Sequence, residues 1–368
     1  MSAAAAPRCL FHLRNRRGLG HLVRGLNIAR ALLALRPEAH VAFHLATRPP
    51  SGFWPEEFPH EVDDGQPDHQ APAVARRWSP QVQVFDSELP AADELQALRA
   101  AAPGSALAFV MRRCLPTQQQ ALYAHPSLVA MDLVLVPQTA ADFGHALPEW
   151  LASRSHFVGP IVRRPDGSAQ RALEQRLGLR FGELVLTSTI GSGSVELPAR
   201  RLFETVADAH SRLAALPQWQ AWRHFVVLGP FFHDPVEALP GMTLLPGEPG
   251  LVDLLARSDL AVADGGFNTV GELMLVRTPA VFLPVPRCTD DPVERVRRLA
   301  DLGCCLVLQP GDGPGLARVL GSLAGDAGLR ERMRERYPHA HVGNKAAARL
   351  LLALCEGRES GSRPGAPA

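Results

Sequence analysis

Apolar residues in the first half of the chain fall into short, nearly continuous runs instead of alternating with polar ones. RCLFHL (Arg8–Leu13), VAFHLAT (41–47), QVQVFD (81–86), ALAFVM (106–111) and DLVLVP (132–137) are too short for helices. Runs of this kind predict strands covered on both faces, as in a parallel sheet. The stretches between them have another period. LVRGLNIARALLAL carries Leu22, Leu26, Ala29 and Leu33 at helical spacing, and residues 91–102 form a second Ala/Leu-rich helical segment. Alternating strands and helices predict an α/β domain.

The rhythm breaks at FVGPIVRRPDGSAQ, where Gly159, Pro160, Pro165 and Gly167 cluster among charges, and restarts at ELVLTSTIGSG. A domain boundary is expected there, giving an N-terminal domain over 1–162 and a C-terminal one over 163–355. In the second half HFVVLG, TLLP, DLAVADGG, AVFLPVP and CCLVLQP read as strands. LVDLLARS, NTVGELMLV and PVERVRRLADL read as helices, followed by helical segments from about 314 to 354. The tail, 356–368, is rich in Gly, Pro and Ser and is expected to be disordered. A length of 368 residues suits two domains.

Charge narrows the partners. Lys and Arg number 38 against 37 Asp and Glu, so no global field favours nucleic acid, and any anion must be recognised locally. Lys345 is the one lysine, and its surroundings, GNKAAARL, are not a phosphate loop. Lysine-based phosphate cradles and Schiff-base chemistry are set aside. Cys9, Cys114, Cys288, Cys304, Cys305 and Cys355 form no CxxC pair, so they read as small hydrophobes, with neither a metal site nor a redox motif. The opening MSAAAAP lacks a signal-peptide pattern and no stretch approaches ~20 apolar residues. A cytoplasmic protein without an integral membrane segment is expected, one that could still work peripherally at a membrane.

Three glycine-bearing loops each follow an apolar strand and open a helix: Gly18-Leu19-Gly20-His21, Gly191-Ser192-Gly193-Ser194, and Asp264-Gly265-Gly266-Phe267-Asn268-Thr269. Glycines allow close approach of the backbone to a ligand, and helix N-termini suit phosphate oxygens. Val23 stands where a dinucleotide fingerprint needs its third glycine, and no acidic residue closes the second strand. A dinucleotide cofactor is therefore disfavoured, and no cofactor is expected. Glu272 lies one helical turn after Asn268, where a carboxylate could accept ribose hydroxyls while the loop amides hold a diphosphate.

From these residues a resemblance emerges. GGFNTVGELMLVRTPAVFLPVPRCTDDPVERVRRLADLG resembles the donor-binding signature of the two-domain GT-B glycosyltransferases, especially the group that adds N-acetylglucosamine to lipid I. GLGHLVRGLNIARALL is similar to that group's first loop and helix, and also to predicted glycosyltransferases with a Gly-His-x-x-Arg opening, matched by Gly20, His21 and Arg24. The resemblance implies two Rossmann-like domains facing a central cleft and transfer of a sugar from a nucleotide-diphosphate donor, most simply UDP-linked. A metal-independent reaction is expected, since loop dipoles could carry the diphosphate charge and the sequence shows no DxD motif, and a single displacement would invert the anomeric carbon. Gly191, Ser192 and Gly193 would approach the diphosphate, with Gly20, Gly265, Gly266, Asn268 and Thr269 lining the donor site. Glu272 would bind ribose and Asp291 would stand near the donor sugar. Pro292 departs from the family's Gln at the sugar contact. The acceptor class, whether small molecule, glycan or lipid-linked, is left open.

His21 is the candidate base on the acceptor, since a neutral imidazole can take a hydroxyl proton; a bland alternative is a helix cap. Asp86, at a strand C-terminus, is the second candidate base or else a cap. Asn268 reads equally as helix cap and ligand contact. Arg14, Arg16 and Arg17 could steer an anion or form a solvated face, and Phe53, Trp54 and Phe58 could meet an acceptor or pack a core. Arg295 and Arg298 read as surface packing or ion pairs. Alternatives that keep the fold are a nucleotide-sugar hydrolase or epimerase, and a non-catalytic nucleotide-sugar-binding protein.

Overall fold

In the computed structural model residues 6–15, 18–86, 88–193, 196–287, 289–339 and 341–359 are described. The chain divides into two compact units, Met1–Val162 with His341–Ala368, and Arg163–Ala340.

The first unit holds β1 (Arg8–Leu13), β2 (His40–Leu45), β3 (His60–Val62), β4 (Val82–Asp86), β5 (Ala106–Val110), β6 (Leu133–Val136) and β7 (Ser155–Phe157). All pair in parallel, in the order β3-β2-β1-β4-β5-β6-β7. The five long apolar runs became the five central strands. Alternate residues feed opposite faces: Phe11, Phe43, Val84 and Ala108 join one core cluster, Leu10, Ala42, Phe85 and Phe109 another. Burial on both sides explains why these strands read as unbroken apolar runs. β3 and β7 were not anticipated. Each is three residues long, partly exposed and at a sheet edge, so neither needs an apolar run.

The C-terminal helix, Asn344–Glu359, departs from the sequence expectation in two ways. It continues past 356, where the tail was expected to begin, and it belongs to the first unit instead of the second. Its Ala347, Ala348, Leu351, Leu352 and Cys355 are buried in the same cluster as Leu22, Leu26 and Ala29 of the helix Gly20–Leu35. Asn344 pins the entry, donating Nδ2–H to the Val162 carbonyl at 2.8 Å and accepting from the Val162 N–H at 3.1 Å. The Cys9 and Cys355 thiols lie 4.0 Å apart. Residues 360–368 of the expected tail lie outside the described residues.

The second unit holds β8 (Leu184–Thr189), β9 (Trp222–Val227), β10 (Met242–Leu245), β11 (Leu260–Ala263), β12 (Ala280–Phe282) and β13 (Cys305–Val307), again parallel, in the order β10-β9-β8-β11-β12-β13. Leu186, Val226, Val262 and Val281 pack against the helices Glu196–Leu213 and Gly313–Gly325, while Ala261, Ala263 and Phe282 pack against Val270, Leu273, Val296 and Leu299.

In both sheets the strand order reverses beside the first strand, between β1 and β4 and between β8 and β11. Flanking loops there leave in opposite directions, opening a crevice at the strand C-termini where ligands of open α/β sheets bind.

Candidate active site

The crevice of the first unit holds His21 and Asp86. β1 leads into the glycine loop, whose Gly18 has φ 155, and the helix Gly20–Leu35 begins without a side-chain cap or an acidic residue in its first turn. His21 therefore caps nothing. Its Nδ1 lies 3.1 Å from Asp86 Oδ1, and Nε2 makes no hydrogen bond to a described residue, leaving that edge of a 26% exposed ring open. Asp86 ends β4, level with Leu13 of β1. Arg24, one turn after His21 and fully buried, donates Nε–H to Asp86 Oδ2 at 2.8 Å and Nη2–H to Oδ1. Burial alone would push the Asp86 carboxyl up, but the Arg24 charge and the His21 hydrogen bond outweigh it and hold it well below the usual carboxylate range. An ionised Asp86 selects the His21 tautomer with hydrogen on Nδ1 and the lone pair on Nε2.

Two of the expected donor loops meet in the second unit. Adjacent strands β8 and β11 end level, Thr189 opposite Ala263, so the Gly191–Gly193 turn and the Asp264–Gly266 turn leave side by side. Gly191 has φ 80 and Gly193 φ 73. A Cβ on Gly193 would stand 2.6 Å from Phe232, and one on Gly191 3.1 Å from Asp264 Oδ2. Only glycine suits such backbone at this spacing. Gly266, not Asn268, is the cap residue of the helix Phe267–Val276, which has no acidic residue in its first turn. Thr269 and Glu272 are buried on that helix.

Glu272 is 7% exposed and forms no hydrogen bond or ion pair with a described residue. Burial pushes its carboxyl up to about 8, with Arg163 opposing and Asp253 adding to the rise. Arg163 is itself tied to Asp253 at 2.6 Å. An acceptor-rich group taken out of water with no donor in reach is costly; a ligand hydroxyl would supply the missing donor.

Asp291 caps the helix Pro292–Asp301, accepting from the Glu294 N–H at 2.9 Å, and Pro292 occupies the helix's first position. That explains a proline where the resembling family has Gln: proline suits the first turn. Arg295 donates to the Gly265 carbonyl at 2.9 Å and pairs with Asp290, while Arg298 pairs with Glu294. Arg14 pairs with Glu94. Trp54 and Phe58 pack on Phe43 with ring centroids 5.0 and 5.4 Å apart, as core. Arg16, Arg17, Ser194 and Cys288 lie outside the described residues. Among the described residues no group of three or more His, Cys, Asp or Glu is placed to hold a metal, and no helix is long and apolar enough to cross a membrane.

No family model matches the chain. Over 216 residues, 54% of this chain and 55% of the relative, it is 30% identical to the UDP-N-acetylglucosamine--N-acetylmuramyl-(pentapeptide) pyrophosphoryl-undecaprenol N-acetylglucosamine transferase of Symbiobacterium thermophilum. The protein of the same name from Verminephrobacter eiseniae is 31% identical over 226 residues, 58% of this chain and 57% of the relative. The match thus spans about half the length of these curated relatives. The glycosyltransferase SnogD from Streptomyces nogalater superposes over 95% of this chain and 100% of its own, with TM-score 0.61 and 19% identity. Arabidopsis thaliana UGT89C1, solved with UDP, does so over 95% and 100%, with TM-score 0.62 and 14% identity.

The fold is GT-B.

Within a GT-B chain the sequence motifs land at the strand C-termini of their own unit, His21 and Asp86 in the first, the Gly191 and Gly265 turns with Glu272 in the second. Sequence reasoning passed over Arg24 as a working residue although it lies in the quoted motif. It also gave no role to Asp264 or Arg287. Asp264 could have been suspected from its place before the two glycines; Arg287 left no local signal.

Proposed function

We propose that the chain is a glycosyltransferase that uses a nucleotide-diphosphate sugar, UDP-linked as in the names of its curated relatives. The observation that carries the reading is the meeting of two glycine turns at the β8/β11 reversal, with a buried, unpartnered Glu272 on the helix that leaves the second turn. Turn amides and the start of the helix Phe267–Val276 would hold the diphosphate. Glu272 would accept the ribose hydroxyls.

His21 would be the general base. In a single displacement the acceptor oxygen bonds to the anomeric carbon as the bond from that carbon to the diphosphate oxygen breaks, and the acceptor proton passes to His21 Nε2. Asp86, with both oxygens held by Arg24 and His21, orients the imidazole and balances the imidazolium. It is a positioning group in this reading. The leaving diphosphate is stabilised by fixed donors already aimed at it, and inversion at the anomeric carbon follows. Transfer is favoured over hydrolysis or epimerisation because the curated relatives are named transferases. Their names include a lipid-linked acceptor, so a lipid-linked acceptor reached at a membrane surface is the class to test first.

The test pairs a UDP-sugar turnover assay with calorimetry. His21→Ala should lower turnover by about 10²–10⁴-fold, the span a positioned base supplies, at unchanged UDP affinity. Wild-type turnover in this variant would remove His21 from the reaction.

A further inference from the structure

Asp264 and Arg287 have no part in the reading so far, yet they occupy the middle of the donor crevice. Asp264 follows β11 directly. Its Oδ1 accepts the Gly266 N–H at 2.9 Å, and its Oδ2 accepts Arg287 Nη2–H at 2.5 Å. A Cβ built on Gly191 would come within 3.1 Å of the same Oδ2. The carboxylate therefore lies between the two turns, at the start of the helix Phe267–Val276, and is almost fully buried. Its hydrogen bonds are of the type a phosphate oxygen would make there: a backbone N–H at a helix start and one guanidinium.

Arg287 reaches this point from the segment after β12. Its Nη2 is 3.5 Å from where a Gly266 Cβ would stand, so the guanidinium lies against the helix start. Its one polar partner among the described residues is Asp264, and its side chain remains 43% exposed. Arg295 differs: it is 17% exposed and engaged by Asp290 and the Gly265 carbonyl. Of these two cations, Arg287 is the one with donor capacity left on its open side.

The geometry points to Arg287 as the residue that binds the charge of the donor's diphosphate, with Asp264 as the resting partner that keeps it over the Gly266 N–H when no donor is bound. This rests on the donor-site reading above. A guanidinium presents several N–H donors in a fixed fork, so Arg287 can retain one bond to Asp264 while giving others to phosphate oxygens. The diphosphate would then be held by one cation together with turn amides, and negative charge developing on the leaving group would fall on a donor already in position.

The experiment compares UDP with uridine on the full chain, by calorimetry for UDP and ligand-observed NMR for uridine, in wild type, Arg287→Ala, Arg287→Lys and Asp264→Asn. Arg287→Ala should weaken UDP tenfold or more with uridine unchanged. Arg287→Lys should recover part of the loss, and Asp264→Asn should keep the preference for UDP. An unchanged UDP-to-uridine ratio in Arg287→Ala overturns the inference, as does an equal loss of both ligands, which marks a purely structural role. Loss of the preference in Asp264→Asn alone would give the contact to the carboxylate and also overturn it. If wild type binds neither compound, the donor-site reading itself fails and takes this inference with it. Wild-type binding of both with a normal ratio in Arg287→Ala sinks the inference alone.

Discussion

Glu272 gives the most quantitative test, because the feature that suits it to a ligand also makes it a burden to the ligand-free chain. Burial moves its carboxyl from an ordinary 4.5 to about 8. Below pH 4.5 folded and unfolded chains are both protonated there and the residue costs nothing. Between 4.5 and 8 the folded chain keeps a proton that the unfolded chain has lost, so stability falls as pH rises. Above 8 both are ionised and the penalty is constant. At ~1.4 kcal/mol per pH unit the cost reaches about 3 kcal/mol at pH 7 and about 5 kcal/mol above pH 8. Glu272→Gln removes the charge at nearly constant shape. Its stability advantage over wild type, measured by urea or thermal unfolding of the second unit's transition, should grow from near zero at pH 4.5 to a plateau above pH 8, about 10–20 °C in Tm at ~2–4 °C per kcal/mol. The same variant should lose UDP affinity. If ribose hydroxyls select the ionised carboxylate, UDP binding at pH 7 should release a proton, seen in the buffer dependence of the calorimetric heat. A difference between variant and wild type that stays flat from pH 5 to 9 would refute the argument, since it would mean that Glu272 titrates alike in the folded and unfolded chain.

Asp86→Asn should be destabilising by about 3–5 kcal/mol, because it leaves the Arg24 guanidinium buried without its counter-charge; a Tm within a degree of wild type would show that the pair does not carry that burial. Truncation after Ala340 should unfold the first unit while sparing the second, because it uncovers the face of the helix Gly20–Leu35 that Ala348, Leu351 and Leu352 cover. Hydrogen exchange resolved by unit reads this directly, and equal protection in both units would count against it.

The sequence by itself determined the elements and the motifs. Strands buried on both faces must be nearly all apolar, so five central strands of the first unit were legible from hydrophobicity alone, as was the break in the rhythm near residue 163. Glycine turns announce themselves because few other residues tolerate φ near 80 beside a close neighbour, and Gly191, Gly193 and Gly265 stood out for that reason. Edge strands β3 and β7, half in water, need no such pattern and left none. What only the tertiary structure decided is partnership over distance. That the helix Asn344–Glu359 closes the first unit depends on which apolar stripe it meets across more than 300 residues, and strand rhythm carries no address. That Asp86 orients His21 while Arg24 holds Asp86 depends on β4 lying beside β1, a consequence of strand order. The pairing of Asp264 with Arg287, 23 residues apart, follows from β11 and β12 ending side by side. Local sequence sets the conformation of each segment; burial, a property of the whole sheet, decides which charges must find one another.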